Sequence, residues 1–422
     1  ICHICAYGRF NINNGGSFMF LNYDEVSEIT AEYGSPVYVY SEEILRDRCR
    51  TLLEAFEGRI APSFSVKANT NLSLLKIIRE EGYGADAMSP GEIYLLEKAG
   101  FQSDEIFYIG NNVSEDEFRF CIDRDITVSV DSLSQLETYS RMNRGGCVAV
   151  RFNPGVGAGH CDKVITGGKK TKFGVEPKYC REVKEILEKY DMKLVGINQH
   201  IGSLFLDPAP YAAAAANLLD MVAENFPGLE FVDFGGGFGV PYRPEEPRLD
   251  FAAARDALFP LLDDFTARYD NKFVHFKCEP GRFVCAECGA LLGTVNAIKE
   301  NYGETYVGTD IGFNVLMRPV LYGSYHEVEV ISDHGGEEQS ETKKVNVVGN
   351  ICESGDIIAK ERELPRVEEG DFIAVMNAGA YGYSMASNYN CRLRPAEVLK
   401  TLDGGFKLIR AADTFESLVE NF

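Results

Sequence analysis

The stretch from Ala61 to Gly281 repeats one pattern eight times, and this repetition restricts the possible folds more than any other feature of the chain. Each unit is a short β-branched or aromatic run, a turn and a segment with apolar residues at helical spacing. Strands that alternate with helices pair in parallel, and eight such units predict a closed (β/α)8 TIM barrel. The eight predicted strands are SFSVKAN, GADAMS, IFYIG, ITVSVDS, CVAVRFN, KLVGINQHIG, EFVDFGGG and FVHFKCEPG.

Helix start signals support this count. Ser89 opens the motif Ser-Pro-Gly-Glu, which has the spacing of a capping box and a proline at the first helical position. Ser114 and Ser132 are each followed three residues later by Glu or Gln, the same spacing. The three serines therefore predict helices that begin shortly after a strand.

Beyond Arg282 the alternation stops, and strand-like runs such as YHEVEVIS and DFIAVMNAG are separated by turns. This change predicts a second, β-rich domain in a chain of class α/β. We predict an N-terminal segment at 1–36 that contributes in part to the β-rich domain, a barrel at 37–281 and a β-rich C-terminal domain at 282–422. The run PVYVYS, just before the barrel units, is a further candidate strand of the β-rich domain.

Composition excludes several classes of function. The net charge is −22, and no run of Lys and Arg forms the basic patch that nucleic acid or an anionic membrane requires. No apolar run has the roughly 18 residues that span a bilayer, and no secretory leader is recognised. Twelve cysteines in such a chain favour free thiols and a cytoplasmic location. Nothing ties the CxxC pairs Cys2/Cys5 and Cys285/Cys288 into one zinc site, so no metal is expected.

Polar residues follow the predicted strands at their carboxyl ends, where a barrel of this kind carries its functional site. Any one of them alone is equally consistent with an ordinary residue at a strand end. A barrel built only for stability would not need the whole set at one rim, so the set predicts a site. Its members are Lys67, Asp86, Asn111, Asp131, Arg151, His200, Gly235–Gly237 and Glu279.

Lys67 suits covalent attachment of an aldehyde. A lysine buried near apolar groups has a lowered pKa, and its neutral amine condenses with an aldehyde to a Schiff base. The aldehyde cofactor that uses a lysine in this way is pyridoxal 5′-phosphate. The glycines of Asp233–Tyr242 (DFGGGFGVPY) would let backbone N–H groups approach its phosphate. Glu279 is placed to keep the ring nitrogen protonated, and His200 is a candidate to lie against the ring, although a lone histidine is often a core residue.

Seven motifs resemble the diaminopimelate decarboxylase family, a branch of the fold-type III pyridoxal-phosphate enzymes that also include alanine racemase and ornithine decarboxylase. The resemblance runs from about Tyr23 to Leu418 in the family's order, and CESGD, MRPVLY and SMASNYN are its most specific parts. It implies an alanine racemase-like fold and decarboxylation of meso-2,6-diaminopimelate to L-lysine and CO2, the last step of lysine biosynthesis. The motifs are SVKANTN, HIGS, GGGFGVPY, EPGR, MRPVLYGSYH, CESGD and GAYGYSMASNYN.

The resemblance also implies roles for individual residues. Lys67 would carry the cofactor, and Cys352 would be the general acid, supplied across a homodimer interface by the partner subunit. Arginine grips a carboxylate in a planar fork, which suits a substrate that keeps one of its two carboxylates; a plain salt bridge remains the alternative for each arginine. The implied cofactor contacts are Lys67, Asp86, His200, Ser203, Gly236, Gly237, Glu279, Gly281, Arg282 and Tyr381, and the implied substrate contacts are Arg282, Arg318, Tyr322, Glu353 and Tyr381.

Two other functions stay open from the sequence. One is decarboxylation of ornithine, arginine, carboxynorspermidine or a D-amino acid by a related enzyme, and Arg318 with the CESGD motif argues against substrates that have a single carboxylate. The other is a non-catalytic homologue that binds the cofactor. Such a protein is expected to lose the catalytic lysine or acid, whereas this chain keeps Lys67, Cys352 and Glu353.

Overall fold

The computed structural model describes residues 19–155, 167–168, 171–333 and 341–422. The predictions for residues 1–18, including the Cys2/Cys5 pair, lie outside these ranges. Within them, no helix has both the length and the apolar character that are needed to cross a membrane. The described chain begins with helix α1 (Tyr23–Tyr33), strand β1 (Val37–Ser41) and helix α2 (Glu42–Ala55).

Eight strands close into a barrel, which confirms the predicted (β/α)8 TIM barrel. All neighbouring strands are parallel, and the last strand pairs with the first through Ile60 and Phe276. Because the strands are parallel, their carboxyl ends meet at one rim. In order around the barrel they are β2 (Ile60–Ser65), β3 (Gly84–Ala87), β4 (Ile106–Tyr108), β5 (Thr127–Val130), β6 (Cys147–Arg151), β7 (Lys193–Asn198), β8 (Phe231–Asp233) and β9 (His275–Cys278).

Among the residues that the structure describes, seven α-helices connect these strands, and α2 packs against α3 and α9 to complete the outer ring. The predicted N-caps Ser89, Ser114 and Ser132 all accept a backbone N–H three residues later. At Ser89 the predicted reciprocal bond is absent, because the Glu92 carboxylate accepts the N–H of Met88 instead. The connecting helices are α3 (Leu72–Glu80), α4 (Pro90–Ala99), α5 (Glu115–Ile122), α6 (Leu133–Met142), α7 (Cys180–Lys189), α8 (Ala209–Asn225) and α9 (Phe251–Arg268).

A nine-stranded sheet forms the β-rich unit. Strand β1 lies inside this sheet, antiparallel to β10 and parallel to β16. All five residues of β1 are buried, so an apolar run that precedes the barrel becomes a central strand, and the chain enters the barrel only after Ser41. The remaining elements are α10 (Arg282–Cys285), β10 (Gly289–Asn301), β11 (Glu304–Thr309), α11 (Arg318–Tyr322), β12 (Val328–Ile331), β13 (Lys343–Val348), β14 (Ile357–Leu364), β15 (Phe372–Val375), β16 (Ala396–Lys400) and β17 (Phe406–Arg410).

Candidate active site

A cavity of about 200 Å³ lies at the barrel rim, and its walls come from both units of the fold. The barrel contributes residues at or after the carboxyl ends of β2, β7, β8 and β9, and the β-rich unit contributes α11 and the segment after β15. Ten of the predicted site residues meet here, although they are spread over more than 300 positions of sequence. The cavity is lined by Ser65, Lys67, His200, Ser203, Gly237, Phe238, Glu279, Gly281, Arg282, Arg318, Tyr322 and Tyr381.

Lys67 does not lie in a strand, as the sequence pattern predicted, but in a single 3-10 turn at Val66–Ala68. Strand β2 ends at Ser65, and the N–H of Asn69 closes the turn on the carbonyl oxygen of Val66 at 3.0 Å. Alternation of polar and apolar residues cannot reveal this ending, because Val66 and Ala68 are both buried in the turn as they would be in a strand. The strand therefore ends two residues before Lys67.

The surroundings of Lys67 are acidic, which corrects the expected pKa. Burial alone lowers the pKa of a lysine, but the attraction of the nearby acidic groups, Asp86 first and then Tyr381 and Glu279, outweighs it and raises the pKa of Lys67 above its ordinary value. The sequence pattern showed the apolar neighbours of Lys67 along the chain and not the carboxyl groups on adjacent strands. The carboxyl groups on adjacent strands therefore favour the protonated form of Lys67.

Three carboxyl groups are buried at the same rim, at the ends of β3, β8 and β9. Burial raises the pKa of Asp86 to about 7, against the attraction of Lys67, and raises the pKa of Asp233 to about 6. Burial, together with Asp233 and Asp86, raises the pKa of Glu279 well above its usual range. Ser65 Oγ donates to Asp86 Oδ2 at 2.9 Å. Asp86 does not line the cavity, so it acts on the cavity through Lys67 and Ser65.

The glycine turn after β8 fits closely against its neighbours. A Cβ at Gly236 would lie 1.8 Å from the carbonyl oxygen of Glu279, and one at Gly237 would lie 2.4 Å from that of Gly202. Gly237 also has φ +110°, which a side chain rarely permits. Only glycines therefore let the turn pass this close to the strand ends, and Gly237 lines the cavity.

His200 is held as a neutral ring. The N–H of Gly236 donates to His200 Nδ1 at 3.1 Å, so the ring proton belongs on Nε2. Burial, and the positive charges of Lys67 and Arg151, hold the pKa of His200 well below its ordinary value. A neutral imidazole that lines the cavity suits contact with a flat aromatic group.

Arg282 and Arg318 line the cavity without carboxylate partners. Arg282 donates to the hydroxyl oxygens of Tyr242 at 2.9 Å and Ser203 at 3.0 Å, and Arg318 Nη1 lies 2.8 Å from His326 Nε2. Only 5% of Arg282 and 1% of Arg318 are exposed, yet neither forms an ion pair within the part of the chain that the structure describes. Burial lowers the pKa of Arg318 to about 10, which still leaves it protonated at neutral pH. The cavity thus presents two uncompensated positive charges, the signature of an anion site.

Tyr242 and His326 belong to this site, although the sequence reasoning gave them no role. The Arg318 guanidinium lies 4.6 Å from the centre of the Tyr242 ring, and the His326 ring meets Tyr242 edge-on at 5.2 Å. Their position in the sequence could have indicated a role in the site, because they are the last residues of the motifs GGGFGVPY and MRPVLYGSYH.

Cys352 and Glu353 do not line this cavity. Both are exposed, in the segment between β13 and β14. The N–H of Cys352 donates to Asn390 Oδ1 at 2.8 Å, and Tyr389 donates its hydroxyl to Glu353 Oε1 at 2.5 Å. The predicted proton donor is therefore not delivered to the cavity of its own chain.

These groups fit pyridoxal 5′-phosphate. A buried lysine can attach an aldehyde, Glu279 carries a carboxyl group on the same rim, and the close-fitting glycine turn lies beside the charge of Arg282. One oxygen of Asp86 and one of Asp233 are also buried without a hydrogen-bond partner among the described residues, at strand ends of the same rim. The fold and the site thus define a pyridoxal-phosphate enzyme of the barrel type.

Comparison with known proteins supports the assignment to the pyridoxal-phosphate enzymes. The family described as "Pyridoxal-dependent decarboxylase, pyridoxal binding domain" matches residues 42–286, and its cofactor is pyridoxal phosphate. A diaminopimelate decarboxylase of Methanothermobacter thermautotrophicus is 43% identical over 97% of this chain and 96% of its own length. One of Archaeoglobus fulgidus is 39% identical over 94% of each. A crystal structure of the Methanocaldococcus jannaschii enzyme with L-lysine has a TM-score of 0.86 and 32% identity, over 94% of each chain. The chain belongs to the diaminopimelate decarboxylase family.

Proposed function

We propose that this chain decarboxylates meso-2,6-diaminopimelate to L-lysine and CO2. The observation that carries the proposal is the pair of buried, unpaired guanidinium groups, Arg282 and Arg318, in the cavity of Lys67. The substrate has two carboxylates, of which one leaves, and arginine is the side chain that best grips the one that stays. Ornithine and arginine have no second carboxylate, so they would leave buried charges unpaired at a cost.

The cofactor contacts are proposed from the same geometry. Bound pyridoxal phosphate supplies an electron sink for the pair of electrons that the departing carboxylate leaves behind. Lys67 attaches the cofactor, and the carboxyl group of Asp86 sets the pKa of the Lys67 amine. Glu279, with its raised pKa, holds a proton at its carboxyl group for the ring nitrogen, and His200 packs on the ring. The proposed phosphate contacts are Ser203, Gly236, Gly237, Gly281, Arg282 and Tyr381.

We propose that the active unit is a homodimer. After the carboxylate leaves, the substrate carbon needs a proton, and a thiol can deliver one. Cys352 Sγ is the proposed donor, and it would come from the second subunit together with Glu353, which would pair with the distal ammonium group. The exposure of both residues beside Tyr389, a half-exposed ring stacked on Phe313, supports a contact at this surface.

Location and domain organisation are proposed as well. The nine cysteines of the described residues are all free, which supports a reducing, cytoplasmic compartment. The barrel and the β-rich unit are proposed as two domains that divide near residue 282. Strand β1 (Val37–Ser41), which lies inside the predicted barrel range 37–281, is proposed to belong to the second domain.

A substrate panel tests the function. The protein loaded with pyridoxal phosphate is assayed for CO2 release from meso-diaminopimelate, L-lysine, L-ornithine and L-arginine. We expect turnover of meso-diaminopimelate, with kcat/KM at least about a thousandfold above the others, because each lost charge-assisted contact costs on the order of 2 kcal/mol. Turnover of ornithine without turnover of diaminopimelate would refute the proposal and support the related decarboxylase.

A further inference from the structure

Among the described residues, His326 is the one hydrogen-bonding partner that the structure gives to the Arg318 guanidinium. It is fully buried, and its Nε2 lies 2.8 Å from Arg318 Nη1. Its other ring nitrogen, Nδ1, lies 2.8 Å from the carbonyl oxygen of Met376. A carbonyl oxygen only accepts, so Nδ1 must carry the ring proton and Nε2 must be the acceptor for the arginine. The backbone at Met376, beside strand β15, therefore fixes the tautomer.

We propose that His326 is a positioning residue for substrate recognition, which fixes the guanidinium of Arg318 through a neutral acceptor and so leaves its charge available to a substrate carboxylate. The inference rests on the proposed function, in which Arg318 binds the carboxylate that the substrate keeps. His326 itself touches neither the substrate nor the cofactor in this account.

The chemical point is that the acceptor is neutral. Buried arginines in proteins are usually oriented by Asp or Glu, which also cancel their charge. Here the imidazole supplies the acceptor without a charge, and burial and the nearby positive charge of Arg318 keep it unprotonated by holding the pKa of His326 well below its ordinary value. Arg282 follows the same design, since the hydroxyls of Tyr242 and Ser203 orient it.

The Tyr242 ring completes the support. It packs under the Arg318 guanidinium at 4.6 Å and against the edge of His326 at 5.2 Å. A face contact to an aromatic ring attracts a cation without neutralising it. The planar guanidinium of Arg318 is thus held at one edge by His326 and on one face by Tyr242. Its remaining N–H groups are left for the ligand.

An isosteric pair tests whether the neutral acceptor matters. His326→Gln keeps an acceptor within reach of Arg318, whereas His326→Glu places a carboxylate of the same shape there. We expect the KM for meso-diaminopimelate to rise less than about threefold in H326Q. In H326E we expect a KM at least about tenfold above that of H326Q, with a similar kcat. The effect falls on KM because Arg318 would contact the substrate carboxylate equally before and during the reaction. Equal KM values in the two variants would overturn the inference.

A second pair separates orientation from packing. His326→Asn retains a donor for the Met376 carbonyl oxygen but cannot reach Arg318, while His326→Gln does the reverse. We expect H326N to raise KM about tenfold more than H326Q does. If H326N equals H326Q, or if only their unfolding temperatures differ, His326 is a packing residue and the inference fails. The comparison of H326N with H326Q also tests the role of His326 if H326E does not fold.

Two probes make the test independent of turnover. L-lysine and 1,5-diaminopentane differ only by the carboxylate, and their Kd values are measured by calorimetry on the cofactor-loaded protein. We expect the Kd for L-lysine to be at least about tenfold higher in H326E than in H326Q, and the Kd for 1,5-diaminopentane to be the same in both variants. Equal weakening of both probes would contradict the inference. If the wild-type protein does not turn over diaminopimelate but this selective loss is seen, the proposed function fails while the role of His326 stands.

Discussion

Tyr381 donates its backbone N–H to the carbonyl oxygen of Ala68 at 2.8 Å, so the β-rich unit holds the turn that carries Lys67. Asn69 adds a second bond across the same boundary, from Nδ2 to the carbonyl oxygen of Gly379 at 2.9 Å. Because Tyr381 also lines the cavity, the lysine and the opposite wall are fixed to each other. The site is therefore a property of both units together.

Replacement of Lys67 should remove covalent attachment of the cofactor. In Lys67→Ala we expect the visible absorption band of the lysine-bound cofactor to disappear and kcat to fall by at least about a thousandfold. Absorption spectra and CO2 release are measured on protein incubated with pyridoxal phosphate. Lys76→Ala, at an exposed position of α3, serves as the control and should keep both signals. A persistent band in Lys67→Ala would disprove the assignment.

Asp86 should set the pH dependence of cofactor attachment. Attachment needs the unprotonated amine of Lys67, and Asp86 is the first of the charges that raise the pKa of that amine. In Asp86→Asn the pKa of Lys67 falls, so the rise of the attachment rate with pH should move to lower pH. The rate is followed by absorbance across a pH series, with the exposed Asp104→Asn as control. An unshifted profile would mean that Asp86 does not act on Lys67.

Cys352 and Lys67 should complement each other across the proposed dimer. Cys352→Ala alone should lower kcat by orders of magnitude while the cofactor stays bound. Mixing it with Lys67→Ala under subunit exchange should restore roughly a quarter of wild-type activity, because half of the dimers are mixed and each of these has one intact site. The mixed species is verified by differential tagging. Its presence without recovered activity would argue against a shared site.

Arg318→Lys should weaken substrate binding although it keeps a positive charge. Lysine lacks the planar fork, so we expect KM for meso-diaminopimelate to rise about tenfold or more with kcat less affected. Steady-state kinetics provide the measurement. Arg181→Lys, at a position on α7 whose side chain is 79% exposed, is the matched control. A KM equal to that of the control would show that Arg318 does not bind the substrate.

Glu397 should matter for stability. It is fully buried, accepts from Tyr40 at 2.6 Å and Asn71 at 2.9 Å, and pairs with Arg410. Glu397→Ala leaves these partners unsatisfied, so we expect a loss of about 3 kcal/mol in the free energy of unfolding, measured with denaturant. Glu300→Ala breaks an exposed pair with Lys343 and should cost less than about 1 kcal/mol. Similar losses in the two variants would contradict this account.

The sequence by itself determined the barrel, because eight strand-and-helix units have few other ways to bury their apolar faces. It also identified Lys67 and the glycine turn from their chemistry and their place after predicted strands, and it identified the arginines through the motifs that resemble the decarboxylase family. Only the tertiary structure decided that Lys67 lies in a turn among carboxyl groups, which neighbours β1 has in the distant sheet, and that Tyr242 and His326 hold the arginines. Those properties depend on which distant segments meet, and a pKa or an orientation is set by neighbours in space rather than along the chain.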